Sequence, residues 1–220
     1  MSLKQKRLLW FFVWLFIILS GPITVLRNTN IAEVRTSGLL LLTTFQRASG
    51  LLAFSLLFIQ IMLGSFMQWW LDSLGAKAFR LHTREGLLTY GFVFIHPIFQ
   101  YLIAAKTLGF ANYLAIPMTN YLKAPELWIS FGRVALALLT IGVAAAYFRT
   151  KPILRKNWRA LHIVNYFAFF LVAIHAGRLG TDVGSLPFSL IYWLGIATVA
   201  LTVVHRFVWS GLKSRANIKI

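Results

Sequence analysis

Hydrophobic residues in this chain are grouped in six long runs, and the short segments between the runs hold most of the charged residues. A run of about 20 apolar residues is the length that crosses a bilayer as a helix. The pattern predicts an all-α membrane protein, one domain over 1–220, built as a six-transmembrane-helix bundle. The stretch from Gly38 to Phe45 is apolar but short, and it either lies at the interface or extends the second span. The predicted spans are 8–27, 48–70, 81–104, 127–148, 159–177 and 188–209.

Composition agrees with a chain that is almost entirely embedded in the bilayer. Hydrophobic residues make up 59% of the 220 residues, charged residues only 12%, and the mean hydropathy is +0.73. A soluble domain carries about twice that charged fraction. The basic and then apolar start resembles a signal peptide, but no clear cleavage site follows it, and we interpret it as a retained first span. The absence of cysteine excludes disulfides, iron–sulfur clusters and covalently attached haem.

The net charge of +17 does not indicate nucleic-acid binding, because the basic residues lie in the short segments where membrane topology explains them. With six spans, one side of the membrane receives the larger basic group, and the positive-inside rule makes that side cytoplasmic. Both termini are therefore predicted to be cytoplasmic, in a plasma or bacterial inner membrane. The predicted cytoplasmic side is called inner, and the opposite side is called outer. The smaller, outer group is Arg27, Arg35, Arg47, Lys106, Lys123 and Arg178.

Four of the five histidines lie in the third and fifth spans. His82 and His96 are fourteen residues apart, and His162 and His175 are thirteen apart. These spans run in the same direction, and the two spacings rise about 21 and 19.5 Å along a helix, so the four residues form two matched levels. Each level offers two imidazoles from two helices, which is what a bis-histidine haem requires. The spacing predicts two haems between the third and fifth helices, with a single haem or another histidine role as alternatives.

Ideal helix geometry fits the third span better than the fifth. At about 100° per residue, fourteen steps return to within roughly 40° of the same face, whereas thirteen steps leave two side chains about 140° apart. A local distortion, a helix tilt or differently turned haem planes must absorb the difference, and Pro97 can distort the third span. No other histidine lies at matched depth with the fifth one, His205, on another span, and His205 is interpreted as an interfacial residue.

The segments around the histidines resemble the ferric reductase-like transmembrane domain family, which includes NADPH oxidases, ferric reductases and the haem subunit of the bacterial methionine sulfoxide reductase system. The segments that carry the resemblance are LHTREG around His82, NWRALH ending at His162 and FFLVAIHAGR around His175. The resemblance covers about 47–178. It implies an inner haem b between His82 and His162 and an outer haem b between His96 and His175.

The resemblance also implies roles for arginines. Arg47 opens the second span as RASG and looks like the family's arginine near the outer haem edge, where it pairs with a propionate or guides an anionic acceptor. A positive anchor at the interface is the alternative. Arg80 and Arg84 either pair with the inner propionates, since guanidinium matches carboxylate geometry, or are topology charges. The chain departs from the oxidases at Gln100, where they carry a histidine.

The function implied is outer-sphere electron transfer, with no catalytic residue, because a bis-histidine iron has no open coordination site. Electrons would pass from a cytoplasmic-side donor to an outer-face acceptor: a ferric chelate, oxygen or a partner reductase. No G-x-G-x-x-G fingerprint is found, and about eleven residues follow Trp209. A separate donor is therefore expected: a flavoprotein reductase that carries a flavin, a free flavin or a quinol. The chain is thus interpreted as an oxidoreductase or the membrane electron-transfer subunit of one.

Two other functions are kept beside this one. The first is the haem-binding membrane subunit of a methionine sulfoxide reductase-like system, which resembles this chain in that no flavin domain is expected in either. The second is a non-enzymatic membrane protein whose histidines relay protons. The connection 105–126 is expected to cover the outer haem.

Overall fold

In the computed structural model, the described residues are 3–109 and 125–209, and those residues form helices and turns without a strand. Six helices of these residues are long and apolar enough to cross a membrane, which confirms the prediction of an integral membrane protein that is helical in its described part. The predicted connection 105–126 lies mostly outside the described residues. The helices are α1 (Leu3–Arg27), α2 (Ile31–Thr36), α3 (Gly38–Ser65), α4 (Met67–Leu74), α5 (Lys77–Leu108), α6 (Glu126–Tyr147), α7 (Trp158–Leu179) and α8 (Phe188–Val203), and α8 continues as a π-helical turn, Val204–Trp209.

The second span differs most from its predicted limits. α3 begins at Gly38, so the short apolar stretch extends the span, and the helix ends at Ser65 rather than at 70. The chain then turns into the separate helix α4. Trp69 and Trp70 lie in α4, where their rings pack edge-on against Trp10 of α1 with centroids 5.4 and 5.2 Å away. These tryptophans thus follow the second span instead of ending it.

The long helices are arranged around two closely packed pairs. α5 packs along α3, and α7 packs along α6, whereas α5 and α7 do not pack along each other. α1 and α8 cover α3, which makes α3 the most buried of the six spans. The two helices that carry the histidine pairs therefore face each other across a slot whose walls are α3 and α6.

Aromatic rings fill the core between α3, α7 and α8. The ring centroid of Phe54 lies 5.2 Å from that of Phe169, 5.7 Å from Phe188 and 5.4 Å from Tyr192. Phe169 is fully buried in this cluster, while Phe167 on the same helix is 60% exposed and faces outward. The aromatic residues of α7 that lie between the two histidine levels thus serve packing on one side and face the surroundings on the other.

Candidate functional site

The four histidines of α5 and α7 meet as two pairs across the slot. The rings of His82 and His162, the inner pair, have centroids 6.3 Å apart and planes at 87°. The rings of His96 and His175, the outer pair, have centroids 6.3 Å apart and planes at 85°. The structure thus brings together the histidines that the spacing pairs by level, while haem ligation by them stays a prediction.

The ring separation is that of two imidazoles bound to opposite sides of one metal ion. An imidazole nitrogen lies about 1.2 Å from its ring centroid and a metal–imidazole bond is about 2.0 Å, so such rings have centroids roughly 6.4 Å apart. A direct hydrogen bond between the rings would bring the centroids to about 5.3 Å. The described residues contain no group of three or more His, Cys, Asp or Glu side chains suited to a metal. Two ligands per level fit a haem, whose macrocycle supplies the other four.

Backbone carbonyls orient both rings of the outer pair. Nδ1 of His96 lies 2.9 Å from the carbonyl oxygen of Gln46 on α3, and Nδ1 of His175 lies 2.8 Å from that of Trp128 on α6. Because a carbonyl only accepts, Nδ1 must be the protonated nitrogen in both rings, and Nε2 keeps its lone pair. Metal-binding histidines have this arrangement, in which the second nitrogen fixes the tautomer and the orientation of the ring.

The inner pair is held less completely. Nδ1 of His162 lies 3.1 Å from the carbonyl oxygen of Gly142 on α6, with Nδ2 of Asn165 3.4 Å from the same nitrogen. Nδ1 of His82 is buried and has no hydrogen-bond partner among the described residues. One inner imidazole is therefore oriented as in the outer pair, and the other is oriented by packing.

Glycines on the neighbouring helices make room for the imidazoles. A Cβ at Gly50 or Gly132 would lie 2.8 Å from the ring of the outer histidine beside it, and a Cβ at Gly64 would lie 3.2 Å from the ring of His82. Gly50 and Gly64 are fourteen residues apart on α3, the same spacing as the two histidines of α5. The sequence analysis missed these glycines, although the matched spacing was visible.

The thirteen-residue spacing is accommodated without a break in the helix. α7 is α-helical throughout Trp158–Leu179, so the local distortion suggested as one explanation is not present in it. Both of its histidines bond to carbonyls of α6, and in each pair the two ring planes are nearly perpendicular. The angular difference is therefore left to helix tilt and to the orientation of the two histidine side chains.

A cavity of about 420 Å³ lies at the inner pair, between α3, α5, α6 and α7. Its volume is within the range of roughly 300–1,000 Å³ that is typical of small-molecule and cofactor sites. The wall is mostly apolar, with Leu57, Ile61 and Leu139 among the side chains beside the two inner histidines. Three basic side chains also line it: Arg149, Arg159 and Arg206.

The arginines at this cavity are not those that the sequence favoured. Arg80 and Arg84 are exposed on α5 and do not line it, so their pairing with propionates stays a prediction. Nη1 of Arg206, in the π-helical turn, donates to the hydroxyl of Tyr166 at 3.4 Å. His205 lies beside it in sequence, belongs to neither histidine pair and lines a smaller cavity at the same end.

Arg47 forms an ion pair that the sequence analysis did not anticipate. Its Nη2 and Nε lie 2.6 Å from the two carboxylate oxygens of Asp182, in the connection between α7 and α8. Arg47's suggested role at the haem edge stays a prediction. Asp182 is one of only five acidic residues in the chain, and it lies next to an apolar span. This position could have indicated that its carboxylate is paired with a basic side chain.

A second carboxylate lies inside the membrane-spanning region. Glu85, one turn after His82 on α5, is 4% exposed and accepts a hydrogen bond of 3.0 Å from Nε1 of Trp14 on α1. Gln60 of α3 lies beside it and lines the inner cavity. The sequence analysis passed over Glu85, although an ionisable residue within a span is rare and usually functional.

Comparison with known proteins gives one result. No curated protein and no solved structure matches the chain. The ferric reductase like transmembrane component family matches residues 49–173, which is more than half of the chain. The matched region contains His82, His96 and His162, and it ends two residues before His175. The chain therefore belongs to the ferric reductase-like transmembrane component family.

Proposed function

We propose that this protein transfers electrons across a membrane through two b-type haems, one held by each histidine pair. Membership of the family indicates transmembrane electron transfer in general. The observation that carries the haem assignment is the ring geometry: at both levels two imidazoles from different helices lie 6.3 Å apart. Two such levels in one bundle form a path, not an isolated site.

The residues at both levels fit a haem. At the outer level, both rings use Nδ1 for a carbonyl and leave Nε2 for iron. At the inner level, the apolar cavity accommodates a flat hydrophobic ring, and Arg149, Arg159 and Arg206 supply guanidinium groups for its propionates. When bound, haem b supplies a one-electron carrier whose potential the protein tunes by ligands, hydrogen bonds and burial.

The chain's own residues then do three things. The four histidines would hold the iron of one haem at each of two levels, which are about 20 Å apart along the helices. The carbonyls of Gln46, Trp128 and Gly142 keep the rings in one tautomer and raise their basicity. With two histidines as ligands at each level, a bound haem would have no free position for a substrate, so the electron transfer it supplies would be outer-sphere.

The inner cavity is the side from which we propose that electrons enter. Its arginines belong to the basic group that the positive-inside rule assigns to the cytoplasm, where both termini are also predicted to lie. The donor would be a separate flavoprotein reductase, a free flavin or a quinol. The acceptor at the outer face would be a ferric chelate, oxygen or a partner reductase, and in the last case the chain would act as the membrane subunit of a methionine sulfoxide reductase-like system.

The geometry argues against a histidine proton relay. If the two Nε2 atoms of a pair face each other, the ring separation of 6.3 Å leaves them about 4 Å apart, longer than the roughly 3 Å of a hydrogen bond. Three of the four Nδ1 atoms end on backbone carbonyls, which do not pass protons on. A relay would need continuous hydrogen bonds, whereas the pairs lie at two separate levels.

Transmembrane transfer is tested with the haem-loaded protein in vesicles that enclose ferricyanide. Dithionite added outside should bleach the enclosed ferricyanide much faster than in protein-free vesicles. A vesicle preparation of His175→Ala should bleach at the protein-free rate, because the outer level is lost. A haem-containing wild-type protein that bleaches no faster than protein-free vesicles would refute the transport function.

A further inference from the structure

A buried carboxylate at the outer end of the molecule binds an arginine from the second span. Asp182 lies in the connection between α7 and α8 and is 2% exposed. Nε of Arg47 donates to its Oδ2 and Nη2 donates to its Oδ1, both at 2.6 Å. A two-point contact between guanidinium and carboxylate is stronger and more directional than a single hydrogen bond.

The end of α1 joins the same cluster. Nδ2 of Asn28 donates to Oδ1 of Asp182 at 2.9 Å, and Nη1 of Arg47 donates to Oγ1 of Thr29 at 3.3 Å. Three parts of the chain therefore meet here: the end of α1, the first half of α3 and the connection after α7. We call the four residues Asn28, Thr29, Arg47 and Asp182 the outer clamp.

The outer clamp lies next to the parts of the chain that orient both outer histidines. Arg47 directly follows Gln46, whose carbonyl accepts the hydrogen bond of His96. Asp182 follows His175 by seven residues, just beyond the end of α7. α5 and α7 do not pack along each other, and they are linked through α3 and α6. The contact from α3 to the connection after α7 is one of these links, and it lies next to the outer imidazoles.

We propose that Arg47 and Asp182 are positioning residues for the outer haem site, which they serve by holding α3 against the end of α7. The proposal rests on the proposed function, since it assigns the clamp to one of the two haems. The pair acts through the separation and orientation of His96 and His175, and neither member touches iron. Asp182 also compensates the charge of Arg47, so the pair adds no net positive charge for attracting an anionic acceptor.

The test uses the full-length, haem-loaded protein and substitutions in the clamp. Arg47→Gln leaves the carboxylate of Asp182 buried without its charged partner, which is costly. Asp182→Asn leaves the partly exposed guanidinium of Arg47 without its carboxylate, which should cost less. Arg47→Lys keeps the charge but cannot make the two-point contact. The exchange of Arg47→Asp with Asp182→Arg rebuilds an ion pair in the opposite sense. Arg35→Gln, an exposed arginine at the same end, is the matched control.

The readouts are the low-spin electron paramagnetic resonance signal and the midpoint potential of each haem, with the outer haem identified as the one missing from His96→Ala. Both single neutral variants should change the anisotropy or amount of the outer signal and shift the outer potential, while the inner haem stays unchanged. Arg47→Lys should show a smaller change. The exchanged pair should recover part of the wild-type signal, and Arg35→Gln should match wild type.

Two results would overturn the positioning role: an unchanged outer haem in both single variants, or an equal loss of both haems in every clamp variant. The second result would mean that the ion pair supports the whole fold and not one level. A wild-type protein that binds no haem would instead contradict the proposed function. The two failures are therefore distinguishable in one set of samples.

Discussion

The outer and inner histidine pairs have the same ring separation but different surroundings. Both outer rings donate to carbonyls at 2.9 and 2.8 Å, and both are packed against glycines that leave no room for a Cβ. At the inner pair one ring bonds to a carbonyl at 3.1 Å, the other has no partner among the described residues, and a cavity of about 420 Å³ adjoins both. The same ring geometry thus has more complete hydrogen bonding at the outer level, while a cavity adjoins the inner level.

The difference shows that histidine spacing and the surroundings of the rings depend on different residues of the sequence. Two histidines at matched depth determine which imidazoles can face each other, and the packing of the helices sets their 6.3 Å separation. The hydrogen bonds, glycines and charges around them decide how firmly the rings are held and how a potential is tuned. We expect the outer haem to be the more sensitive to substitutions that add volume, and the inner haem to be the more sensitive to loss of arginine.

The largest effect is expected from removing a ligand. His82→Ala should lower the haem content from about two per chain to about one and leave the outer signal, and His175→Ala should do the reverse. The physical reason is that the two levels share no ligand. Haem content is measured by the pyridine haemochrome method on purified protein. His205→Ala is the control and should bind as much haem as wild type; equal loss in His205→Ala would overturn the ligand assignment.

The next largest effect is expected from adding a methyl group at a glycine, and it should be larger at the outer level than at the inner level. Gly50→Ala and Gly132→Ala place a Cβ 2.8 Å from an outer ring, so the ring or a helix must shift, whereas Gly64→Ala leaves 3.2 Å at the inner ring. Overpacking of this kind costs about 1–3 kcal/mol. Spectra and thermal unfolding should show a weakened outer haem in the first two variants and a smaller inner change in the third. Gly91→Ala on α5, which meets no neighbouring atom within 4 Å, should behave as wild type.

Arginine substitutions test which basic residues serve the inner level. Replacing Arg149, Arg159 and Arg206 together by Gln should weaken binding of the inner haem several-fold. All three side chains line the cavity, and each carries a positive charge that suits a propionate. The outer haem should be unaffected. Arg80→Gln combined with Arg84→Gln is the comparison, and titration of haem into the apoprotein is the measurement. A stronger effect from this second combination would favour the sequence-based assignment.

Acid should weaken the outer level through Asp182, and this is the smallest expected effect. Burial alone would raise the pKa of Asp182, but hydrogen bonds from Arg47 and Asn28, with the attraction of Arg47, lower it below its ordinary value of 3.8. A carboxylate whose pKa is lowered by folding contributes its full stability at pH values above its unfolded-state pKa. This stability is lost as the pH falls through its pKa in the folded state. The stability difference between wild type and Asp182→Asn should be constant from about pH 5 to 8 and shrink below about pH 4. A difference that grows on acidification would contradict this.

The sequence predicted the elements of the fold because long apolar runs can only be satisfied as membrane-spanning helices. It predicted less well where one helix ends and the next begins, since 38–70 is apolar almost throughout and only the turn after Ser65 divides it. The meeting of histidines by level followed from helix rise, which depends on spacing alone. That His162 and His175, thirteen residues apart, both face α5 could not be predicted, because helix tilt and side-chain orientation are not set by spacing.

The surroundings of the candidate site were the least predictable part. The partner of Arg47 is 135 residues away, and neither segment contains a pattern that pairs them. Arginines in the basic connections are alike in sequence, so which ones turn toward the inner cavity depends on the packing of α6, α7 and the π-helical turn. The glycines of α3 were identifiable only by comparing their spacing with that of histidines on another helix.

The central claim is that two imidazole pairs hold two haems, and the haem-to-protein ratio tests it most directly. Protein purified from cells supplied with haem should contain about two haem b per chain, with a reduced-minus-oxidised spectrum typical of low-spin b-type cytochromes. The near-perpendicular ring planes at both levels should also give strongly anisotropic low-spin resonance signals. A ratio of one, or a protein without a Soret band despite haem supply, would contradict the account.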